Sequence, residues 1–72
     1  MNIMVFATSV SAPQQIDSVK PLLSTRTDIS DWNFDLEDCD HILRVVSDGD
    51  LSPRQIESLL NGAGFACEEL AY

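Results

Sequence analysis

Residues 30–46 constrain the fold of this chain more than any other stretch. In each half of the stretch, apolar side chains alternate with polar or outward-facing ones. A period of two, rich in aromatic and β-branched residues, is typical of β-strands with one buried face. The inward-facing residues predicted for the two strands are Trp32, Phe34, Leu36, Leu43 and Val45. The turn between them, Asp38-Cys39-Asp40, predicts a hairpin because aspartate tolerates turn conformations.

The segments before the hairpin predict a strand and then a helix. Residues 2–10 carry apolar side chains on both faces, which is typical of a strand in the middle of a sheet. The helix is predicted to begin at Ser11, which has the spacing of a capping box with Gln14. Because Pro21 lacks an amide hydrogen, we expect this helix either to end near Lys20 or to kink.

The segments after the hairpin predict a turn, a second helix and a last strand. Residues 47–50 are predicted to form the turn. Ser52 then provides an N-cap, followed by Pro53 at the first helical position and Gln55 at the third. The apolar stripe of this helix consists of Ile56, Leu59, Leu60 and Ala63. Gly64 suits the left-handed position that ends a helix, and residues 65–70 are predicted to form the last strand.

The order of these elements predicts an α+β fold. It is the ferredoxin-like βαββαβ two-layer sandwich, an antiparallel four-stranded sheet with both helices on one face. The expected strand order is fourth, first, third, second. We expect residues 1–72 to form a single domain, with Trp32 and Phe34 central in its core. Truncating either to alanine would then cost ~3–5 kcal/mol.

Charge and cysteine content narrow the expected partners and location. The formal net charge is −8, so the surface repels phosphate backbones, and we expect neither nucleic acid nor a membrane as partner. No apolar run approaches the ~20 residues of a membrane span. The two cysteines, Cys39 and Cys67, are too few for the disulfide framework of a small secreted domain. These features favour the cytoplasm.

The predicted fold and several core positions resemble the heavy-metal-associated (HMA) domain family of copper chaperones and metal-pumping ATPases. The resemblance covers nearly the whole chain. Besides the hairpin, it rests on Val19, Leu23, Ile56, Leu60, Ala63, Gly64 and Phe65. The family binds soft metals through a Cys-x-x-Cys pair between the first strand and first helix. Counted back from Val19, the matching positions are Ala12 and Gln15, so the resemblance implies the fold without the usual metal site and without a cofactor.

The hairpin turn offers an alternative site for a metal ion. In this topology the turn lies at the same end of the sheet as the first strand's loop. Cys39 and His41 are two residues apart and could bind copper or zinc together with neighbouring carboxylates. We favour a solvated acidic turn, because two lone ligands lack the paired spacing of a metal site. Cys67 is expected to be a small buried apolar residue.

Catalytic patterns are missing from the sequence. His41 is the single histidine, and nothing nearby in the sequence orients it as a base. The sequence contains neither a phosphate-binding loop nor a dinucleotide-binding fingerprint. We therefore expect that the chain is not an enzyme.

The sheet face without helices is the predicted interaction surface. Its apolar residues are expected to be Ile3, Val5, Ile42 and Val46, which lie on neighbouring strands. A contiguous patch of this kind often marks an association surface, although β-forming residues also occur on open sheets for their strand propensity alone. We favour a small interaction module that binds a protein partner or a second copy through this face.

Overall fold

A computed structural model describes residues 2–49 and 51–70 and has the predicted architecture. Its elements are β1 (Asn2–Thr8), α1 (Pro13–Ser24), β2 (Ile29–Asp35), β3 (Ile42–Ser47), α2 (Pro53–Gly62) and β4 (Cys67–Glu69). All strand pairs are antiparallel, in the order β2-β3-β1-β4. The predicted ferredoxin-like fold and its strand order are confirmed. No helix within the described ranges is long and apolar enough to cross a membrane.

β1 is one of the two inner strands of the sheet, as its two apolar faces predict. It pairs with β3 on one side and β4 on the other. Phe6 is fully buried, at 0% exposure. The core between sheet and helices consists of Met4, Phe6, Val10, Val19, Leu23, Leu43, Val45, Leu51, Ile56, Leu60 and Cys67. Since both helices contribute to this one cluster, they cover the same face of the sheet.

α1 begins one residue later than the sequence predicts. Its N-cap is Ala12, and the side-chain oxygen of Gln15 accepts hydrogen bonds from the amides of Ser11 (2.6 Å) and Ala12 (3.2 Å). The predicted pairing of Ser11 with Gln14 is therefore wrong. The reason is Pro13, which disfavours helical geometry in the residue before it and leaves Ala12 extended, with φ −134° and ψ 150°.

α1 also continues through Pro21 to Ser24. Of the two predicted alternatives, an end near Lys20 is therefore wrong, and a kink at Pro21 stays a prediction. Val19 and Leu23, on either side of the proline, are both buried in the core, and Pro21 itself is exposed. Burial of these two side chains offsets the hydrogen bond that the proline cannot donate, since each fully buried aliphatic side chain contributes ~1.5–3 kcal/mol.

The hairpin forms, with β2 at the edge of the sheet as the predicted strand order requires. Its predicted three-residue turn is wrong, because β2 ends at Asp35, whose carboxylate accepts the Glu37 amide, and the connection comprises residues 36–41.

Trp32 and Phe34 pack against the core from the edge of the sheet and are only partly buried. Their rings are arranged edge-to-face, with 5.9 Å between the ring centroids. The expectation that they lie centrally in the core is therefore wrong. At the exposed edge, the Asp31 carboxylate accepts a hydrogen bond from the amide of Trp32 at 2.8 Å.

The second helix begins as predicted. Ser52 is the N-cap, and its amide donates to the side-chain oxygen of Gln55 at 2.9 Å. Beyond the helix, Gly64 has a φ of 92°, the left-handed conformation expected of it. β4 is shorter than the strand predicted for residues 65–70. Just beyond its end, the amide of Leu70 still donates a hydrogen bond to the carbonyl of Val5. The predicted turn at residues 47–50 reaches Asp50, which lies outside the described residues.

Burial predicts which aromatic residue matters most for stability. Replacing Phe6 with alanine leaves a cavity under the central strand and is expected to cost ~3–5 kcal/mol. Phe34→Ala, at the edge, should cost less. Urea denaturation of both variants measures the difference, and Ile3→Ala, at an exposed position, serves as the control with little change. A Phe6→Ala midpoint equal to that of wild type would contradict this account of the core.

Candidate functional site

Three segments meet at one end of the sheet. They are the loop after β1 (residues 9–12), the hairpin connection (residues 36–41) and the approach to β4 (residues 65–67), and together we call them the loop end. The Thr8 amide donates to the Asp40 carbonyl at 3.1 Å. Ser9 bonds twice to Ala66, through its amide (3.1 Å) and through its hydroxyl oxygen (2.9 Å). The structure thus brings the hairpin turn beside the first loop, as the topology predicts.

Thr8 connects the segments of the loop end, a role that sequence reasoning missed. Its buried hydroxyl donates to the carbonyl of His41 at 2.7 Å and accepts from the amide of Val10 at 3.2 Å. The available signal was a threonine at the end of an otherwise apolar strand. That signal is weak because threonine is also a common strand residue. The bond makes the hairpin connection part of the rigid sheet.

The loop between β1 and α1 is closed by an amide oxygen. Gln15 Oε1 accepts from the Ser11 hydroxyl at 3.2 Å as well as from the amides of Ser11 and Ala12. The Ala12 side chain has no ligating atom. Residues 9–12 contain no cysteine, so this loop presents hydroxyls and amides rather than the sulfur ligands that soft metals prefer.

The hairpin turn gathers three exposed groups that can ligate a cation. One ligand atom each from Asp38, Cys39 and Asp40 lies within 4.8 Å of the others. The turn is ordered by Asp38, which accepts the Asp40 amide at its carboxylate (2.9 Å) and the His41 amide at its carbonyl (3.0 Å). A thiol between two carboxylates can bind a borderline metal such as zinc.

His41 is not a member of that three-residue group. Its backbone has a φ of 48°, which is uncommon for a residue with a side chain. The hydrogen bonds of its amide to Asp38 and of its carbonyl to Thr8 hold it there. Its Nδ1 atom is buried and has no hydrogen-bond partner among the described residues. The predicted pair of Cys39 and His41 therefore stays a prediction, while the geometry groups Cys39 with aspartates.

The two cysteines have opposite environments. Cys39 is exposed and Cys67 is buried, and neither forms a disulfide. Burial raises the pKa of the Cys67 thiol to about 12, and the negative charge of Glu57 adds to the effect. Cys67 is therefore a neutral, apolar part of the core at physiological pH, which confirms the prediction for this residue.

The open face is the face of the sheet without helices, with β1 and β3 residues Ile3, Val5, Ala7, Ile42, Arg44 and Val46. The register pairs Ile3 with Val46, Val5 with Arg44 and Ala7 with Ile42, so the predicted residues do share this face. Their exposure differs strongly. Ile3 is 63% exposed, whereas Val5 is 8% and Ile42 6% exposed. The accessible apolar surface is therefore concentrated at Ile3 and the half-buried Val46.

Comparison with known proteins agrees with this architecture. No protein-family model and no curated protein matches the sequence. Among solved structures, one match is the yeast copper transporter domain Ccc2a, determined in the apo and Cu(I)-loaded states. The TM-score is 0.83 and the sequence identity is 15%, and the match covers 99% of this chain and 97% of that one. The chain has the fold of an HMA domain.

Two further structures support the same fold. A chain of the Atx1–Cu(I)–Ccc2a complex matches with a TM-score of 0.84, at 15% identity, over 99% of this chain and 97% of that one. The first domain of the human copper chaperone for SOD1, in its copper(I)-loaded form, matches with a TM-score of 0.77, at 22% identity, over 93% of this chain and 89% of that one. These likenesses are to the backbone, since few residues are identical.

The environments of the two thiols predict their reactivity. At pH 8 the exposed Cys39 should react with a thiol-specific disulfide reagent, whereas Cys67 should react only after urea unfolding, because its raised pKa keeps it protonated and the core excludes the reagent. Absorbance of the released chromophore counts the reactive thiols. The Cys39→Ala variant, as control, should show no rapid reaction. Two rapid equivalents in the native wild-type protein would contradict the burial of Cys67.

Proposed function

We propose that this chain is a small cytoplasmic interaction module, a single HMA-like domain over residues 1–72, that binds a protein partner through the open face. The observation that carries the proposal is the exposure of Ile3. Within the described residues, it is the one large hydrophobic side chain that is mostly exposed. Ile3 lies beside Val46, a second, half-buried apolar residue, and apolar surface of this kind supports protein contact.

The charges around the open face indicate the chemistry of the partner. The register places Asp31 beside Val46 and Asp35 beside Ile42 on one border, and Glu68 beside Ala7 on the other. An apolar centre with a polar border is the usual anatomy of a protein interface. Because the borders are acidic and the chain has a net charge of −8, a second copy would bring like charges together. A partner with a basic border is therefore favoured over self-association.

The loop end supports contact rather than thiolate metal transfer. The positions that resemble the family's cysteine pair are Ala12 and Gln15, and the Gln15 side chain is already engaged by loop amides. A chain of the Atx1–Cu(I)–Ccc2a complex has this fold, so a domain of this shape does contact another protein. We propose that this chain has the contact function without the paired sulfur ligands.

Replacement of Ile3 tests the proposed surface. Ile3→Lys places a charge where the partner's apolar centre would lie, and Gln14→Lys, on exposed α1, is the matched control with the same change of charge. Each protein is immobilised and incubated with an extract of the source cells, and the retained proteins are quantified by mass spectrometry. We expect a partner retained by wild type and Gln14→Lys to be depleted at least ~10-fold with Ile3→Lys, as for loss of a central contact.

Light scattering of wild type, Ile3→Lys and Gln14→Lys measures their molecular masses and so tests for self-association. A wild-type dimer that Ile3→Lys disrupts would identify a second copy as the partner. Three monomeric proteins that retain the same set of extract proteins would contradict a role for the open face.

A second candidate function is metal binding at the hairpin turn, favoured by the grouping of Asp38, Cys39 and Asp40 within 4.8 Å. A single thiolate with carboxylates suits zinc better than Cu(I), which prefers sulfur ligands. The turn is exposed and ordered by its own hydrogen bonds, so a cation could reach it without rearranging the sheet.

Equilibrium dialysis separates the two candidates. If the turn binds metal, wild type should take up one Zn(II) per chain, and both Cys39→Ala and the Cys39→Ala/His41→Ala double variant should lose it. Cys67→Ala is the control, since that thiol is buried in the core and should not affect metal uptake. Parallel dialysis with Cu(I) under reducing conditions tests the softer metal. No stoichiometric uptake, or uptake unchanged by Cys39→Ala, would reject this second candidate.

A further inference from the structure

A groove of about 440 Å³ opens where α1 ends and α2 begins. This is the opposite end of the sheet from the loop end, so the groove is independent of the candidate site described above. Its volume lies within the ~300–1,000 Å³ of small-molecule sites. The residues that line it are Arg26, Ser52, Arg54, Gln55, Ser58 and Leu59.

The polar groups of the groove are mainly hydrogen-bond donors, and its lining includes no carboxylate from residues 2–49 or 51–70. The Ser58 hydroxyl makes no hydrogen bond to another described residue, and the Ser52 hydroxyl, at the N-cap of α2, keeps its proton to donate. The Gln55 oxygen is occupied by the Ser52 amide at 2.9 Å, which leaves the Gln55 NH₂ group to donate. Such a lining is suited to an anion.

Two of the four basic side chains of the whole sequence meet in this groove. Arg26 is fixed by Asp28 through Nε at 3.1 Å and Nη2 at 3.0 Å, which uses two of its five donors. Arg54 is exposed and makes no ion pair with any described residue. A guanidinium group matches the geometry of carboxylate and phosphate oxygens.

We propose that this groove binds a small organic anion that carries a phosphate or carboxylate group. Arg54 and the remaining donors of Arg26 hold the charged group, the two serine hydroxyls add hydrogen bonds, and Leu59 contacts the apolar part of the ligand. Elsewhere the chain, with its net charge of −8, repels anions. Binding therefore depends on short-range contacts in the groove, and not on general attraction to the protein.

NMR titration of the ¹⁵N-labelled protein tests the proposal. Inorganic phosphate and citrate are added separately at constant ionic strength to wild type, Arg54→Ala and Arg44→Ala. We expect saturable shifts of the groove amides in wild type and at least ~10-fold weaker binding in Arg54→Ala, which loses a charge-assisted hydrogen bond. Arg44→Ala removes the same charge from the open face and should bind like wild type.

A third variant is expected to change the affinity in the opposite direction. Asp28→Asn removes the carboxylate that neutralises Arg26 and should tighten binding several-fold, a result that loss of structure cannot imitate. Saturation by phosphate alone assigns a phosphate ester, and saturation by citrate alone assigns a carboxylate. The absence of saturable shifts with both probes, or equal weakening in Arg54→Ala and Arg44→Ala, would overturn the proposal.

Discussion

The burial of β1 on both faces is the constraint on which the rest of the structure depends. The strand lies between β3 and β4, and its helix-side residue Phe6 is inaccessible to solvent. On the other face, Val5 is also buried, although it is not part of the core beneath the helices. Because crossovers between parallel strands of one sheet are right-handed, both helices lie on the same face, the side of Phe6. The position of one strand thereby determines both layers.

Periodicity was sufficient to predict the elements, their order and the central place of β1. It did not predict where α1 begins and ends. Pro13 restricts the backbone of Ala12, which makes Ala12 the N-cap, and the burial of Val19 and Leu23 stabilises the helix on both sides of Pro21. Local propensity is a weak influence that tertiary packing can override. Trp32 is only partly buried because β2 lies at the edge of the sheet. The predicted strand order already placed β2 there, so the partial exposure of Trp32 could have been predicted from it.

The candidate site could be predicted in outline, because topology alone brings the hairpin turn beside the first loop. The particular contacts could not. Thr8 acts through a hydrogen bond to His41, a residue with a left-handed backbone that lies 33 positions away, and such a bond leaves no periodic signal. Gln15 caps its own helix from within four residues, but the sequence pattern placed that cap one residue too early. The groove was missed for a related reason. Its residues at 52–55 serve as a helix start, and only the fold places Arg26 beside them.

The hydrogen bond between the Asp31 carboxylate and the Trp32 amide has a consequence for behaviour at high concentration. An exposed edge strand is a template on which another chain can add in amyloid-like fashion. Here an incoming strand would have to displace the carboxylate from the amide and would meet the charges of Asp31 and Asp35. The Asp31 side chain thus occupies a backbone donor that an added strand would need. Addition of a strand at this point of the β2 edge is therefore disfavoured.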